Sequence, residues 1–163
     1  SAALKKEKLS SQGYAAMLAS TTRLNTPGIA FGAMPSVHAL TDVTGFGLLG
    51  HLLEICRGSG LQAEVGMAPV PLLPGVEALA REGVRTGASG RNWESYGEAV
   101  VLPAGFADWQ RDILCDPQTS GGLLVCCSPD AANDVLALFR RHGHEGAAAI
   151  GEISVGAPRI AVV

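Results

Sequence analysis

Aromatic residues are scarce, at 5% of 163 residues, and charged residues reach only 17%. With 47% hydrophobic residues, so little charge excludes an intrinsically disordered chain, which needs the opposite balance. No excess of positive charge exists either: 12 basic residues face 15 acidic ones, for a net charge of −3. The basic surface that drives sequence-independent nucleic-acid binding is therefore missing, and no nucleic-acid partner is expected. Lys5, Lys6 and Lys8 form the one basic cluster, broken by Glu7, and it reads as a solvated tail or a helix start. The sequence has no uninterrupted apolar run of ~18 residues and no signal-peptide h-region, so neither a membrane span nor a membrane partner is expected. The four cysteines, Cys56, Cys115, Cys126 and Cys127, form no CxxC and no zinc spacing. Adjacent Cys126 and Cys127 lie in an apolar run and read as strand core. A reduced, cytoplasmic setting follows as an expectation.

Glycine is plentiful instead. Twenty-one glycines are nearly twice the usual share of about 7%, without a collagen period, so they mark turns, close backbone approaches or phosphate loops. The length suits one domain that buries roughly 70% of its unfolded surface. Apolar spacing predicts helices over about 9–24, 47–57, 75–82, 106–115 and 130–141, and Pro27-Gly28 should end the first. Strands are predicted at 37–43, 61–65, 100–102, 123–127, 148–153 and 159–163. Residues 85–98 show no apolar period and read as a long functional loop. Short links between alternating elements give an α+β fold, an α/β sandwich with a mixed, partly ferredoxin-like sheet and packed helices.

Three segments carry candidate chemistry. In the first, a strand runs into Gly45-Phe46-Gly47-Leu48-Leu49-Gly50 and then a helix. A GxGxxG between strand and helix fits a dinucleotide-binding module for NAD or FAD, with Glu64 placed to hold a ribose hydroxyl. Asp42 argues against it, because a carboxylate beside a pyrophosphate needs a metal ion to offset the repulsion. The glycines can also simply let helix and sheet pack closely. Asp42, Thr41 and Thr44 stand at a strand end above the amides of Gly45 and Gly47. That combination suits Mg²⁺ plus phosphate, since Mg²⁺ takes one or two carboxylates together with phosphate oxygens and water. In the second segment, DPQTSGG, Asp116 and Thr119 are candidates either for a ligand or for capping their own turn. In the third, Arg91 and Asn92 of RNWESYG could clamp a phosphate. His38 and His51 flank the first segment and read as hydrogen-bonded packing residues. His142 and His144 should favour a helix C-terminus through the dipole.

TDVTGFGLLGH, RNWESYG and DPQTSGGLL, in this order and spacing, resemble the C-terminal domain of selenophosphate synthetase (selenide, water dikinase), of the aminoimidazole ribonucleotide synthetase type. The likeness extends from about residue 9 to 153. It implies a Mg²⁺-dependent reaction of ATP, selenide and water giving selenophosphate, AMP and phosphate. It also implies that residues 1–163 are one C-terminal domain, with 1–8 a tail or interdomain segment. The ATP-binding N-terminal domain, bearing the reactive Cys or selenocysteine and a Lys, would then be absent from this chain. That domain would be its natural partner, and the full-length protein a homodimer. Asp42 matches the family's metal-ligand aspartate, and no catalytic residue is expected here. Thr41, Thr44, Gly45, Gly47, Asn92 and Asp116 are nucleotide-side candidates by position. A third expectation stands beside these, a non-catalytic domain that dimerises or covers a partner's active site.

Overall fold

The computed structural model describes residues 2–163. In chain order the elements are α1 (Ala2–Lys5), α2 (Ser11–Thr21), α3 (Pro27–Gly32), β1 (Val37–Asp42), α4 (Gly47–Ser59), β2 (Leu61–Val65), α5 (Val76–Arg81), α6 (Gly87–Tyr96), β3 (Val100–Val101), α7 (Asp108–Leu114), β4 (Leu123–Cys127), α8 (Ala132–Arg141), β5 (Gly151–Val155) and β6 (Ile160–Val162). Single 3₁₀ turns lead into β3 and α8. The α+β class with helices on a mixed sheet is observed.

The strands divide into two sheets. One holds β1 and β4, antiparallel; the other has the order β3-β6-β2-β5. In the second sheet β6 runs parallel to both β2 and β3, while β5 is antiparallel to β2. This topology overturns the dinucleotide-binding alternative. A Rossmann unit needs the strands before and after the glycine-rich turn to be parallel neighbours. Here β1 pairs with β4 and β2 belongs to the other sheet. Glu64 faces Glu152 across the β2–β5 ladder, far from the role of a ribose ligand.

α4 is the central helix because Leu49, Leu52, Leu53 and Cys56 repeat at helical spacing and all are buried. They pack with Ala63 and Val65 of β2 and Ile160 and Val162 of β6. Each fully buried Leu or Ile contributes about 2 kcal/mol through apolar area removed from water. The other side of α4 meets α6 and α7, which puts Tyr96, Leu114 and Cys115 in the same core.

At the N-terminal end one sequence expectation is trimmed and another fails. The run over 9–24 shortens to Ser11–Thr21, capped by Ser10, whose hydroxyl accepts from the Gly13 N–H at 3.0 Å. Pro27-Gly28 does not stop a helix but starts α3, since proline at the first helical position sacrifices no hydrogen bond. α2 buries none of its residues, and Leu24 and Ile29 stand 74% and 85% exposed. By contrast Phe31 of α3 is fully buried and packs against Phe139 of α8, the two rings tilted at 55° with centroids 4.6 Å apart. Within residues 2–8, Ala3 is buried and Lys8 pairs with Glu82 at 3.2 Å.

The segment 85–98 is not a loop. Thr86 caps α6 by accepting from the Ser89 N–H, and the helix runs ten residues to Tyr96. Its apolar period was invisible because the buried stripe is Ser89, Asn92 and Tyr96, at i, i+3 and i+7, and mostly polar. The dipole role expected of His144 also fails. Burial first, then Arg23 and His142, lower its pKa and so disfavour the charged form that a helix C-terminus attracts, and the ring packs edge-on against Phe139 at 6.0 Å. Among the described residues no helix is long and apolar enough to cross a membrane.

The buried Phe31–Phe139 contact makes α3 part of the folded unit. Phe31→Ala should cost about 3–5 kcal/mol in urea denaturation, the usual range for emptying a buried aromatic site. A loss below about 1 kcal/mol would mean that α3 is not docked.

Candidate functional site

Three segments far apart in sequence meet at the first turn of α4. The backbone of Gly47 has φ +68° and lies so close to Cys115 that a Cβ there would stand 2.5 Å from the Cys115 carbonyl carbon. Only glycine meets both demands at once. On the other flank, a Cβ on Gly121 would fall onto the Val43 carbonyl, so DPQTSGG can lie directly along the end of β1. The Val43 N–H donates to Gly122 O at 2.9 Å and the Gln118 N–H to Thr44 O at 3.0 Å.

Asn92 joins the pieces. Its side-chain nitrogen donates to Gly45 O and to Cys115 O, both at 2.9 Å, and the residue is buried. Tyr96, one turn further on, donates its hydroxyl to Phe46 O at 2.7 Å. Both N–H donors of the carboxamide are thus spent on backbone carbonyls, so Asn92 is a tie between TDVTGFG and DPQTSGG and not a phosphate clamp.

Asp116 is likewise turned inward. One carboxylate oxygen accepts from Thr86 Oγ1 at 3.2 Å and Ser89 Oγ at 3.1 Å, and the other accepts from Gln118 Nε2 at 3.2 Å. Burial raises its pKa, with the Ser89 and Thr86 hydrogen bonds opposing the shift. Its carboxylate partners are side chains, two of them at the start of α6, so Asp116 ties the DPQTSGG turn to α6 instead of capping that turn through its own backbone.

The remaining candidates separate by strand face. β1 alternates half-buried and exposed residues, which puts Asp42 on the exposed side with His38 and Leu40, and Thr41 on the other. The Thr41 hydroxyl donates to the Asp42 carbonyl at 3.1 Å. The expected trio of Asp42, Thr41 and Thr44 therefore loses Thr41. The Gly47 N–H turns back to Thr44 O at 3.1 Å and is unavailable to an anion. Gly45 is exposed beside Asp42 and Thr44, with open space around its Cα. The glycines of GFGLLG thus act mainly in close packing, the blander of their sequence readings.

His51 is buried in the first turns of α4 and makes two side-chain contacts: Nε2 with Thr44 Oγ1 at 3.0 Å and Nδ1 with Glu54 Oε2 at 2.9 Å. Glu54 was not singled out from sequence. Its position three residues after His51, on one helix face, was the available signal. His38 lies apart, on Ser128 at 2.9 Å.

The donor set can be weighed against Mg²⁺ directly. Among the described residues no group of three or more His, Cys, Asp or Glu could hold a metal ion. One exposed carboxylate fits an ion that keeps most of its waters and shares phosphate oxygens, and does not fit an ion held by this chain alone.

This chain belongs to the family of AIR synthase related proteins, C-terminal domain, which matches residues 3–162. Along its whole length it is similar to proteins named selenide, water dikinase. One from Burkholderia pseudomallei (strain K96243) is 61% identical over 162 residues, covering 99% of this chain and 46% of that protein. One from Rhizobium meliloti (strain 1021) is 50% identical over 163 residues, covering 100% of this chain and 47% of that protein. The chain thus spans about half the length of these relatives. Among solved structures, E. coli HypE aligns with a TM-score of 0.57 at 23% identity, covering 98% of this chain and 40% of that one. A second E. coli HypE structure, described as a hydrogenase maturation protein, gives 0.54 at 21% identity over 84% of this chain and 35% of that one. These two likenesses bear on the fold alone.

Two substitutions test the tie. Asn92→Ala takes the donor from the buried Cys115 carbonyl and from the part-buried Gly45 carbonyl and should cost about 1–3 kcal/mol in urea denaturation; an unchanged midpoint would remove Asn92 from the framework. For Asp116 the sign is set by a folded pKa raised above the unfolded one. Between those two values the native state binds more protons, so stability falls as pH rises. Asp116→Asn should therefore be more stable than the wild type at pH 7, with the gain shrinking as the pH falls through the carboxylate range. A gain that grows on acidification in thermal melts would contradict the assignment.

Proposed function

We propose that this chain is the C-terminal domain of a selenide, water dikinase, completing a Mg-ATP site built mainly by an N-terminal domain. The observation that carries the reading is the convergence of TDVTGFGLLGH, RNWESYG and DPQTSGGLL on one hydrogen-bonded unit, in a chain that is 61% identical to such an enzyme. The overall reaction is that of ATP, selenide and water giving selenophosphate, AMP and phosphate. Mg²⁺ would supply charge neutralisation of the phosphates, the main resource in phosphoryl transfer. Asp42, Thr44 and Gly45 would face that ion and the nucleotide. Thr41, Gly47, Asn92 and Asp116 would serve by holding the backbone on which the first three stand.

The exposed apolar side chains suit burial against another domain. Leu24, Ile29 and Phe46 are 74%, 85% and 51% exposed, and Phe46 lies in the same loop as Gly45. A covering role for the chain therefore coincides with its role at the site. Among the described residues no thiol suits the nucleophile. Burial raises the thiol pKa of Cys115, with Asp112 and Asp116 adding to the shift, and burial also raises that of Cys56; a thiol kept protonated is a poor nucleophile.

The test is an AMP and selenophosphate assay with ATP, Mg²⁺ and selenide. This chain alone should give no AMP above background, while the full-length protein should turn over. Asp42→Asn in the full-length protein should lower turnover about 10²-fold or more without shifting the melting temperature, since Asp42 is exposed. Wild-type turnover by that variant, or robust AMP formation by this chain alone, would overturn the proposal.

A further inference from the structure

Between α2 and α3 the chain crosses residues 22–26, and Asn25 is the one residue of this link that is not exposed. Its side-chain nitrogen donates to Gly121 O at 2.9 Å, across 96 residues of sequence. A carbonyl oxygen only accepts, so the carboxamide must turn its N–H face to the DPQTSGG turn. The backbone carbonyl of Asn25 accepts from the Gly28 N–H at 3.1 Å, which opens α3, and α3 is docked through the fully buried Pro27 and Phe31. Leu24 beside it is 74% exposed and gives the link no apolar anchor. Asn25 thus reaches from a docked helix to the turn at the site, and the functional reading above leaves it without a role.

The acceptor lies where the strand pairing gives out. β1 and β4 are in register up to Asp42 and Leu123, and one further bond joins the Val43 N–H to Gly122 O at 2.9 Å. The next residue, Gly121, lies directly on the Val43 carbonyl, past the last ladder bond. Segments at the end of a ladder open easily unless something holds them. The turn is tied at its start by Asp116, through Thr86 and Ser89, and at its end by Asn25. Between the two ties Gln118, Thr119 and Ser120 are exposed, and the Gln118 N–H donates to Thr44 O at 3.0 Å. The turn therefore bears on Val43 and Thr44, the two residues that separate Asp42 from Gly45.

We propose that Asn25 is a positioning residue for the metal-nucleotide rim: its carboxamide holds Gly121 against Val43 and so fixes where Asp42, Thr44 and Gly45 stand. The role of that rim rests on the proposed function, while the tie from Asn25 to the turn stands on the geometry alone. A bond that merely stabilised the fold would show in the melting temperature and leave ligand affinity as it was. A positioning bond at a half-buried edge shows in affinity at little cost in stability.

The experiment uses the full-length protein carrying Asn25→Ala, or Asn25→Asp, which keeps the shape and replaces the donor by an acceptor. Hydrogen exchange without ligand, read by mass spectrometry, should quicken in both variants over 43–47 and 116–122, with β2 and β6 as protected as in the wild type. Steady-state AMP formation should show the KM for Mg-ATP raised about tenfold, in the range for lost outer partners of a metal site. kcat should be unchanged, the pattern of lost ligand binding. The melting temperature should stay near that of the wild type. Thr22→Val, which removes a hydroxyl bond to Leu18 O in the same link, should match the wild type in exchange and in KM. Wild-type exchange in Asn25→Asp, or a loss of protection that extends equally to β2 and β6, would overturn the tie. An unchanged KM despite faster exchange would overturn the positioning role, whatever kcat does. If the wild type forms no AMP, the functional reading falls and the positioning role with it, while the exchange measurement still decides the tie.

Discussion

Everything near the site depends on the approach of one backbone to another: the first turn of α4 against the chain at Cys115. That approach is closer than a Cβ allows, and it leaves the carbonyls of Gly45 and Cys115 facing inward together. One carboxamide, that of Asn92, satisfies both. Buried carbonyls without donors are costly, so the position of α6, which carries Asn92, is dictated by the contact it caps. Asp116 repeats the device one residue further on, drawing in Thr86 and Ser89 from the start of α6.

Polar groups directed inward thus build a hydrogen-bonded floor, and the candidate site groups are what this floor leaves outside. Asp42 is exposed because the alternation of β1 puts it there, and Gly45 because the tie at Asn92 uses its carbonyl and not its outer side. The hydrophobic core from α4 to β2 and β6 anchors that floor. An arrangement of this kind separates stability from chemistry. Core residues set whether the domain folds, and a small exposed rim sets what it can meet.

Much of this could be read from the residues. The strands at 61–65 and 123–127, the helix from Gly47 and the helix ending at Arg141 follow from apolar spacing, and the three motifs pointed to one family. What could not be read falls into two kinds. α6 reads as a loop in the sequence because its inward stripe of Ser89, Asn92 and Tyr96 is held by hydrogen bonds, and polar stripes leave no hydrophobic period. α3 leaves no clear signal because Pro27 reads as a stop, whereas it is the first residue of a helix. At the site, residue type indicated polar function correctly but not direction. Asn92 and Asp116 carry the right chemistry for a ligand and spend it on backbone and hydroxyl partners. Thr41 and Asp42 are neighbours in sequence yet lie on opposite faces of one strand. The directions of Asn92 and Asp116 are tertiary facts, fixed by partners some 20 to 50 residues away, whereas the split of Thr41 from Asp42 follows from strand alternation alone.

The central claim is that Asp42 is this domain's contribution to a metal-nucleotide site completed elsewhere in the protein. The most direct measurement is a crystal structure of the full-length protein with Mn²⁺ and a non-hydrolysable ATP analogue, using the metal's anomalous signal. The account predicts a peak at coordination distance, roughly 2.1 Å, from an Asp42 carboxylate oxygen, with the remaining ligands from phosphate, water and residues outside this chain. A fully occupied metal-nucleotide site with Asp42 still facing bulk solvent would contradict it.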